Sequence, residues 1–492
     1  MSPVYILLFI ALYFAVLLGI SYITSKGSDN DSFFLGNRNS PWYVVAFGMI
    51  GTSLSGVTFI SVPGWVGDSH FAYMQTVLGY LIGYFVIAFV LLPLYYRLNL
   101  TSIYSYLEQR FGKWSYKTGA FYFLLSRILG ASFRLFLVAT VLQEFVFSPW
   151  NVPYEVTVFI TILFIWLYTH RGGIKTIIWT DTLQTFFMLS AVGVSIYLIS
   201  DELNLSLGGL IDRIASSDMS ETFFLGDINA KNHLVKQLIS GAFIAICMTG
   251  LDQDMMQKNI SCKNVGEAQK NMITFSLVLV FVNLVFLSLG ALLFIYAQET
   301  GLQIPERTDL LYPMIALNSG LGLGIGVLFI LGLISAAYSS ADSALTALTT
   351  SVCVDFIGID KMNEGERNKI RKRVHIGMSL ALLVVIIAFR YLIDKSVIDT
   401  LLKVASYTYG PLLGLYVFGL FTKRAVMDRF VPVVCLIAPA LTYIIGMNSK
   451  EWFGGYVFAY ELLAVNGMLT CIGLLILTQK NPAKKEPGIS SL

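Results

Sequence analysis

Thirteen apolar stretches recur along the chain, each bounded by short polar segments and each about long enough to cross a bilayer as a helix. They fall at approximately 3–25, 41–65, 71–96, 118–147, 153–169, 173–200, 234–256, 271–297, 321–356, 374–393, 397–421, 427–447 and 457–478. An odd number of spans puts the termini on opposite sides. The pattern predicts an all-α polytopic membrane protein. Composition agrees: of 492 residues, 56% are apolar and only 13% charged, against roughly a quarter charged in soluble domains.

Charge orients the spans. Alternate loops carry 23 of the 33 Lys and Arg residues, the opposite set carries seven, and Arg127, Arg134 and Lys403 fall within spans. Basic loops stay on the cytoplasmic side, so the N-terminus is predicted outside and the C-terminus in the cytoplasm of a cell (inner) membrane. The loops are too short for an attached nucleotide-binding domain, so uphill work must draw on an ion gradient. No metal-ligand motif or nucleophile–base pair occurs in the spans, which argues against an enzyme.

The polar exceptions within spans carry the chemistry. Ser335-Ala336-Ala337-Tyr338-Ser339-Ser340-Ala341-Asp342-Ser343 lies inside an otherwise apolar run. At 100° per residue, Ser335, Ser339 and Ser343 share a helix face, with Asp342 beside them and Ser340 one step round. Hard oxygen ligands with a single carboxylate suit a monovalent cation better than a divalent one. A competing reading has these serines back-bonding to their own helix or easing helix packing, which leaves the aspartate unexplained. The second span is interrupted at mid-depth by Gly51-Thr52-Ser53-Leu54-Ser55-Gly56 and Pro63-Gly64, and the seventh by Gly241 and Thr249-Gly250 before Asp252-Gln253-Asp254. Non-helical backbone inside a membrane is tolerated where it lines a cavity, and its carbonyls are then free to act as ligands. Two interrupted helices five spans apart hint at an inverted repeat, although small residues for close packing explain Gly48 and Gly241 as well.

Several segments, in order, carry a family resemblance: Ser32-Phe33-Phe34-Leu35-Gly36-Asn37-Arg38, Ser53-Leu54-Ser55-Gly56, Leu98 to Phe111, Gly172-Gly173-Ile174-Lys175-Thr176, Thr180-Asp181-Thr182-Leu183-Gln184, Asp252 to Gln257, the serine cluster, and Gly410-Pro411-Leu412-Leu413-Gly414. The chain resembles a bacterial-type member of the sodium/solute symporter family, the group of sodium/glucose, sodium/proline, sodium/iodide and sodium/sialic acid cotransporters. The resemblance implies a LeuT-like core of two inverted five-helix repeats, 41–200 and 201–421, with extra spans in 1–40 and 422–492. It implies symport of Na⁺ with a small-molecule solute by alternating access, in a lipid bilayer, with no nucleic acid partner and with a monomer sufficient for transport.

By the same resemblance, one Na⁺ site uses the carbonyls of Gly51, Leu54 and Ala336 with the hydroxyls of Ser339 and Ser340. A second joins Asp181 to Ser339, Asp342 and Ser343. Asp342 departs from the family, where serine is usual; it could bind the ion, hold a proton, or pair with Arg127 or Arg134. Ser53, Ser55 and Thr58 match solute-binding hydroxyls of the sialic-acid branch, with Gln75 beside them and Phe243 as a wall or gate. Arg127 and Arg134 are seven apart on one face and invite a carboxylate, Arg127 being the closer match to the branch's substrate arginine; pairing with an internal acid is the alternative. Lys403, four after Asp399, reads as an intrahelical ion pair. The hydroxyls alone suit a sugar or polyol nearly as well, and a sodium-linked sensor or channel shares the composition.

Energetics favour two ions. Each Na⁺ entering down ~100 mV yields about 2.3 kcal/mol and a tenfold gradient about 1.4 more, so two supply roughly 7.4 kcal/mol. A monovalent anion returns about 2.3 of this; a single ion would then leave only about 1.4 kcal/mol.

Overall fold

The computed structural model describes residues 3–24, 38–100, 102–359, 362–392 and 397–479. Lys26, Ser32-Phe33-Phe34-Leu35-Gly36-Asn37, Thr101, Lys361, Lys395, Lys480, Lys484 and Lys485 lie outside them, as do the side chains of Arg171, Gly172, Gly173, Ile174 and Lys175. Among the described residues regular structure is helical, apart from isolated bridges at Ser40–Cys262 and Val426–Thr478.

The first apolar stretch is α1 (Pro3–Thr24). The second is two helices, α2 (Trp42–Ser53) and α3 (Gly56–Ser69), separated by Leu54 and Ser55 in extended or irregular backbone. His70, at φ 52°, ends α3, and α4 (Tyr73–Val86) continues through a π turn to Arg97. Then come α5 (Lys113–Leu142), the helical run α6 (Tyr154–Glu202), α7 (Leu234–Ala245) with its π turn Ile246–Gly250, and α8 (Gln253–Ile260). The chain continues as α9 (Val265–Thr300), α10 (Leu323–Ser351), α11 (Glu364–Phe389), α12 (Val397–Thr408), α13 (Gly410–Phe421), α14 (Val431–Met447) and α15 (Leu462–Ile476).

All thirteen predicted stretches are helical, but helices do not map onto spans one to one. Among the described residues eight helices are long and apolar enough to cross a membrane, and ten if each of two bent pairs is one span. Trp42–Ser53, Tyr154–Leu167 and Leu462–Ile476 are shorter apolar helices. The run α6 holds two predicted stretches. Phe164 stacks on Phe14 at 4.3 Å, and Phe187 meets the adjacent Tyr13 edge-on at 5.8 Å. A straight helix would hold these two phenylalanines about 35 Å apart, so α6 doubles back between them.

Breaks fall where a carbonyl can be satisfied elsewhere. The α7–α8 pair bends by 67° at Leu251 and Asp252, slightly beyond the predicted Thr249-Gly250. There Tyr95 donates to the Gly250 carbonyl at 2.8 Å and Tyr104 to that of Leu251 at 2.9 Å. A bend not expected from the sequence, 45° between α12 and α13, falls just before Pro411, whose ring opposes continuation of the preceding helix.

Helices α3, α4, α7 and α9 pack as one group and α5, α6, α10 and α11 as a second, with α2 packed between them against both α6 and α9. Large apolar side chains such as Leu12, Phe89, Phe281 and Val384 remain exposed around the outside, as lipid-facing positions do in a multi-pass membrane protein. The first group is fused at α4–α7. A Cβ on Gly241 would lie 2.0 Å from the Thr76 carbonyl oxygen, and one on Gly79 2.3 Å from that of Leu238.

That seam makes a testable demand. Gly to Ala in a helix interior normally stabilises by roughly 0.5–1 kcal/mol, but Gly241→Ala and Gly79→Ala are expected to destabilise by about 1–3 kcal/mol through overpacking. Gly130, with open space around its built Cβ, should show the ordinary helical gain. Thermal unfolding of the purified variants in detergent reads the difference in sign.

Candidate functional site

The break between α2 and α3 faces α10. Ser340 donates to the Thr52 carbonyl at 3.3 Å, one residue after the predicted Gly51. Gly51 itself abuts α6, where a Cβ would meet Thr185 Oγ1 at 2.1 Å. Leu54, Ala336, Ser339 and Ser340 are all buried at this junction. Ser335 turns elsewhere, donating to Tyr13 of α1 at 2.9 Å; its share in the serine face serves helix packing.

Asp181, on the second limb of α6, is fully buried, as its isolation in an apolar stretch led us to expect. Ser339 donates to its Oδ1 at 2.6 Å and Thr52 to its Oδ2 at 3.0 Å. The remaining partner was not anticipated. Lys258 of α8, counted from sequence among loop residues, is 1% exposed and places its ammonium 2.7 Å from Asp181 Oδ2 and 2.5 Å from Thr52 Oγ1. Available in the sequence was only that Lys258 follows a helix break between two apolar stretches. Its i,i+4 spacing from Asp254 reads equally as a surface pair.

Asp342 is also buried, and its Oδ1 accepts the Ser343 amide at 2.6 Å. Of the two arginines that the sequence offered it as partners, Arg127 is held by other acids. Arg127 pairs with Asp254 and lies 3.8 Å from Asp252. Asp252 in turn accepts from Tyr409 at 2.8 Å and from the amides of Asp254 and Met255 at the start of α8, a favourable place for a carboxylate. Arg134 differs. It is buried, its Nε has no hydrogen-bond partner, and among the described residues no carboxylate lies within ion-pair distance.

A central cavity lies beside these groups, its lining including Ser53, Leu54, Ser55, Thr58, Arg127 and Arg134 together with Tyr73, Tyr80 and Met248. Two candidates stand apart from it. Gln75 spends its amide on loop backbone, donating to the Asn232 carbonyl at 2.9 Å and accepting from the Phe224 amide at 3.1 Å. Phe243 is half-buried on α7, and its neighbours Ile244 and Ala245 line the cavity instead. Tyr73, bonded to Tyr80 at 3.1 Å, also lines a second cavity, bounded by Trp65, Lys231, Asp399, Lys403 and Tyr460. Lys403 and Asp399 form the expected ion pair at its rim. Arg127, held by Asp252 and Asp254, is itself part of the lining of the central cavity.

The model of the sodium:solute symporter family matches residues 33–428. The chain belongs to the sodium:solute symporter family. It is 27% identical to the sodium/sialic acid symporter NanT of Aliivibrio fischeri over 95% of this chain and 92% of that one. It is 25% identical to the sodium/sialic acid symporter SiaT of Proteus mirabilis, over 95% and 94%. A solved Na⁺-coupled sialic acid symporter in a substrate-bound outward-open state superposes with a TM-score of 0.82 at 20% identity, covering 97% of this chain and 99% of that one. Mhp1, a nucleobase-cation-symport-1 family transporter, superposes with 0.57 at 13% identity over 92% and 95%. The fold is thus the expected LeuT-like one. The family member is a sodium-coupled symporter of a small-molecule solute, not an enzyme.

The Arg127 cluster yields a prediction. Removing one partner of a buried pair strands the other charge and costs about 3–5 kcal/mol, so Arg127→Ala should be strongly destabilised. Adding Asp254→Asn should recover part of that loss. A double-mutant cycle on denaturation of the purified protein measures it, and additive losses would show that the pair contributes nothing.

Proposed function

We propose that the protein imports a carboxylate-bearing sugar of the sialic acid class together with Na⁺ by alternating access. The observation carrying this reading is Arg134, a buried guanidinium with no carboxylate within ion-pair distance among the described residues, beside the hydroxyls of Ser53, Ser55 and Thr58. A charge so placed is costly unless something neutralises it, and a solute carboxylate can do so with two parallel hydrogen bonds. Arg127 is already engaged by Asp254 and Asp252. The names of the two sialic acid relatives support the same solute class.

Na⁺ sits at the α2–α3 break, held by the carbonyls of Gly51, Leu54 and Ala336 and the hydroxyls of Ser339 and Ser340. Ser340 already reaches the backbone there, and neutral oxygens let the ion go when the helices part. The basic-side loops face the cytoplasm, with the N-terminus outside, in the cell (inner) membrane. Repeats 41–200 and 201–421 rock about the site within a monomer embedded in the bilayer.

Uptake of N-acetylneuraminic acid into proteoliposomes under an imposed Na⁺ gradient tests the reading. Ser340→Ala should raise the sodium half-saturation concentration several-fold, and an unchanged sodium dependence would remove Ser340 from the site. Arg134→Lys should weaken binding of the acid by about tenfold or more, because an ammonium cannot reproduce the guanidinium fork. Equal affinity of the wild type for the acid and its neutral amide would overturn the anion assignment in favour of a sugar or polyol.

A further inference from the structure

The residues expected to hold a second Na⁺ are not disposed as a vacant ion site. Asp181 Oδ1 accepts from Ser339 at 2.6 Å, and Oδ2 accepts from both Thr52 at 3.0 Å and Lys258 at 2.7 Å. The Lys258 ammonium also touches Thr52 Oγ1 at 2.5 Å. It therefore makes the oxygen contacts, one carboxylate and one hydroxyl, that a bound sodium would make, and Thr52 and Ser339 are themselves 3.3 Å apart. Of the other two residues expected there, the Asp342 carboxylate accepts the Ser343 amide, and Ser343 Oγ has no hydrogen-bond partner among the described residues. Lys258 and Asp181 are both buried, so no solvent screens the ammonium, and a free cation would be placed against an unscreened positive charge.

We propose that Lys258 is a tethered cation in the second ion position, so that a single Na⁺ accompanies each solute. The ammonium belongs to α8, on the far side of the 67° bend from the cavity-lining helix, and Asp181 belongs to α6. The pair thus ties the half-helix α8 to its neighbour, as a shared ion would, but it is not released with the cargo. Lys258 is a positioning residue in this scheme, acting through Asp181 and Ser339 on the neighbouring Na⁺ site. The inference rests on the proposed first ion site.

Equilibrium binding of radioactive sodium to the purified full-length protein gives the count directly. One ion per wild-type chain is expected, rising to two in Lys258→Met, where Asp181, Thr52 and Ser339 become available. In proteoliposomes the Hill coefficient for sodium in N-acetylneuraminic acid uptake should rise from about one to about two in that variant. Uptake should carry no net current in the wild type and an inward current in Lys258→Met. Should Lys258→Met fail to fold, Lys258→Met with Asp181→Asn removes both charges and should still bind one ion. Two ions bound by the wild type, or one by a folded Lys258→Met, overturns the inference while leaving symport intact; no sodium binding by the wild type overturns both.

Discussion

A charge carried into hydrocarbon must be met by an opposite charge that is held in place, and the centre of this molecule is organised by that requirement. Asp181 and Lys258 answer each other, as do Arg127 and the Asp252–Asp254 pair, across elements distant in sequence. Each pair joins two helices. The clusters are therefore the means by which buried ions are tolerated. Buried ion pairs add little to stability compared with apolar packing. Their value here lies in being breakable at defined positions, which a wall of leucines is not.

The helix breaks obey the same logic for the backbone. Carbonyls freed at Gly250 and Leu251 are taken by Tyr95 and Tyr104, and Ser340 reaches the one at Thr52. The first two have tyrosine partners that fasten the bend. At the α2–α3 break a short hydroxyl approaches from α10, so an ion bound there, as proposed above, would bear on the contact between these helices. An event at one cation can in this way bias the packing of whole helices.

The sequence disclosed spans more readily than partners. Apolar length marks helices regardless of tertiary context, so all thirteen stretches are helical, and Gly51 through Gly56 announced the first break. Gly241 was ambiguous between a break and a packing site, and the α4–α7 seam makes it the latter. Lys258 was misplaced because a basic residue just past an apolar stretch reads as loop; whether the chain turns back into the bundle depends on the bend at Leu251–Asp252. Arg127 and Arg134 share a face at seven-residue spacing, so their difference lies wholly in which helix end faces each, and that helix end is supplied from residues 252–254. Gln75 looked like a ligand because a polar side chain in a span needs a partner, and the loop at 224–232 provides one.

The glycine seam between α4 and α7 bears on how the protein is built. Thr76 and Gly241 meet backbone to side-chain position across more than 160 intervening residues, and no side chain can substitute for the missing partner helix. While the ribosome is still delivering α5 and α6, the groove on α4 stands open to lipid. Helix α4 must therefore wait in the bilayer, inserted but without this partner, until α7 arrives to pack on it. Membrane integration and bundle assembly are separate events in this chain, and the interval between them is set by the distance in sequence between two glycines.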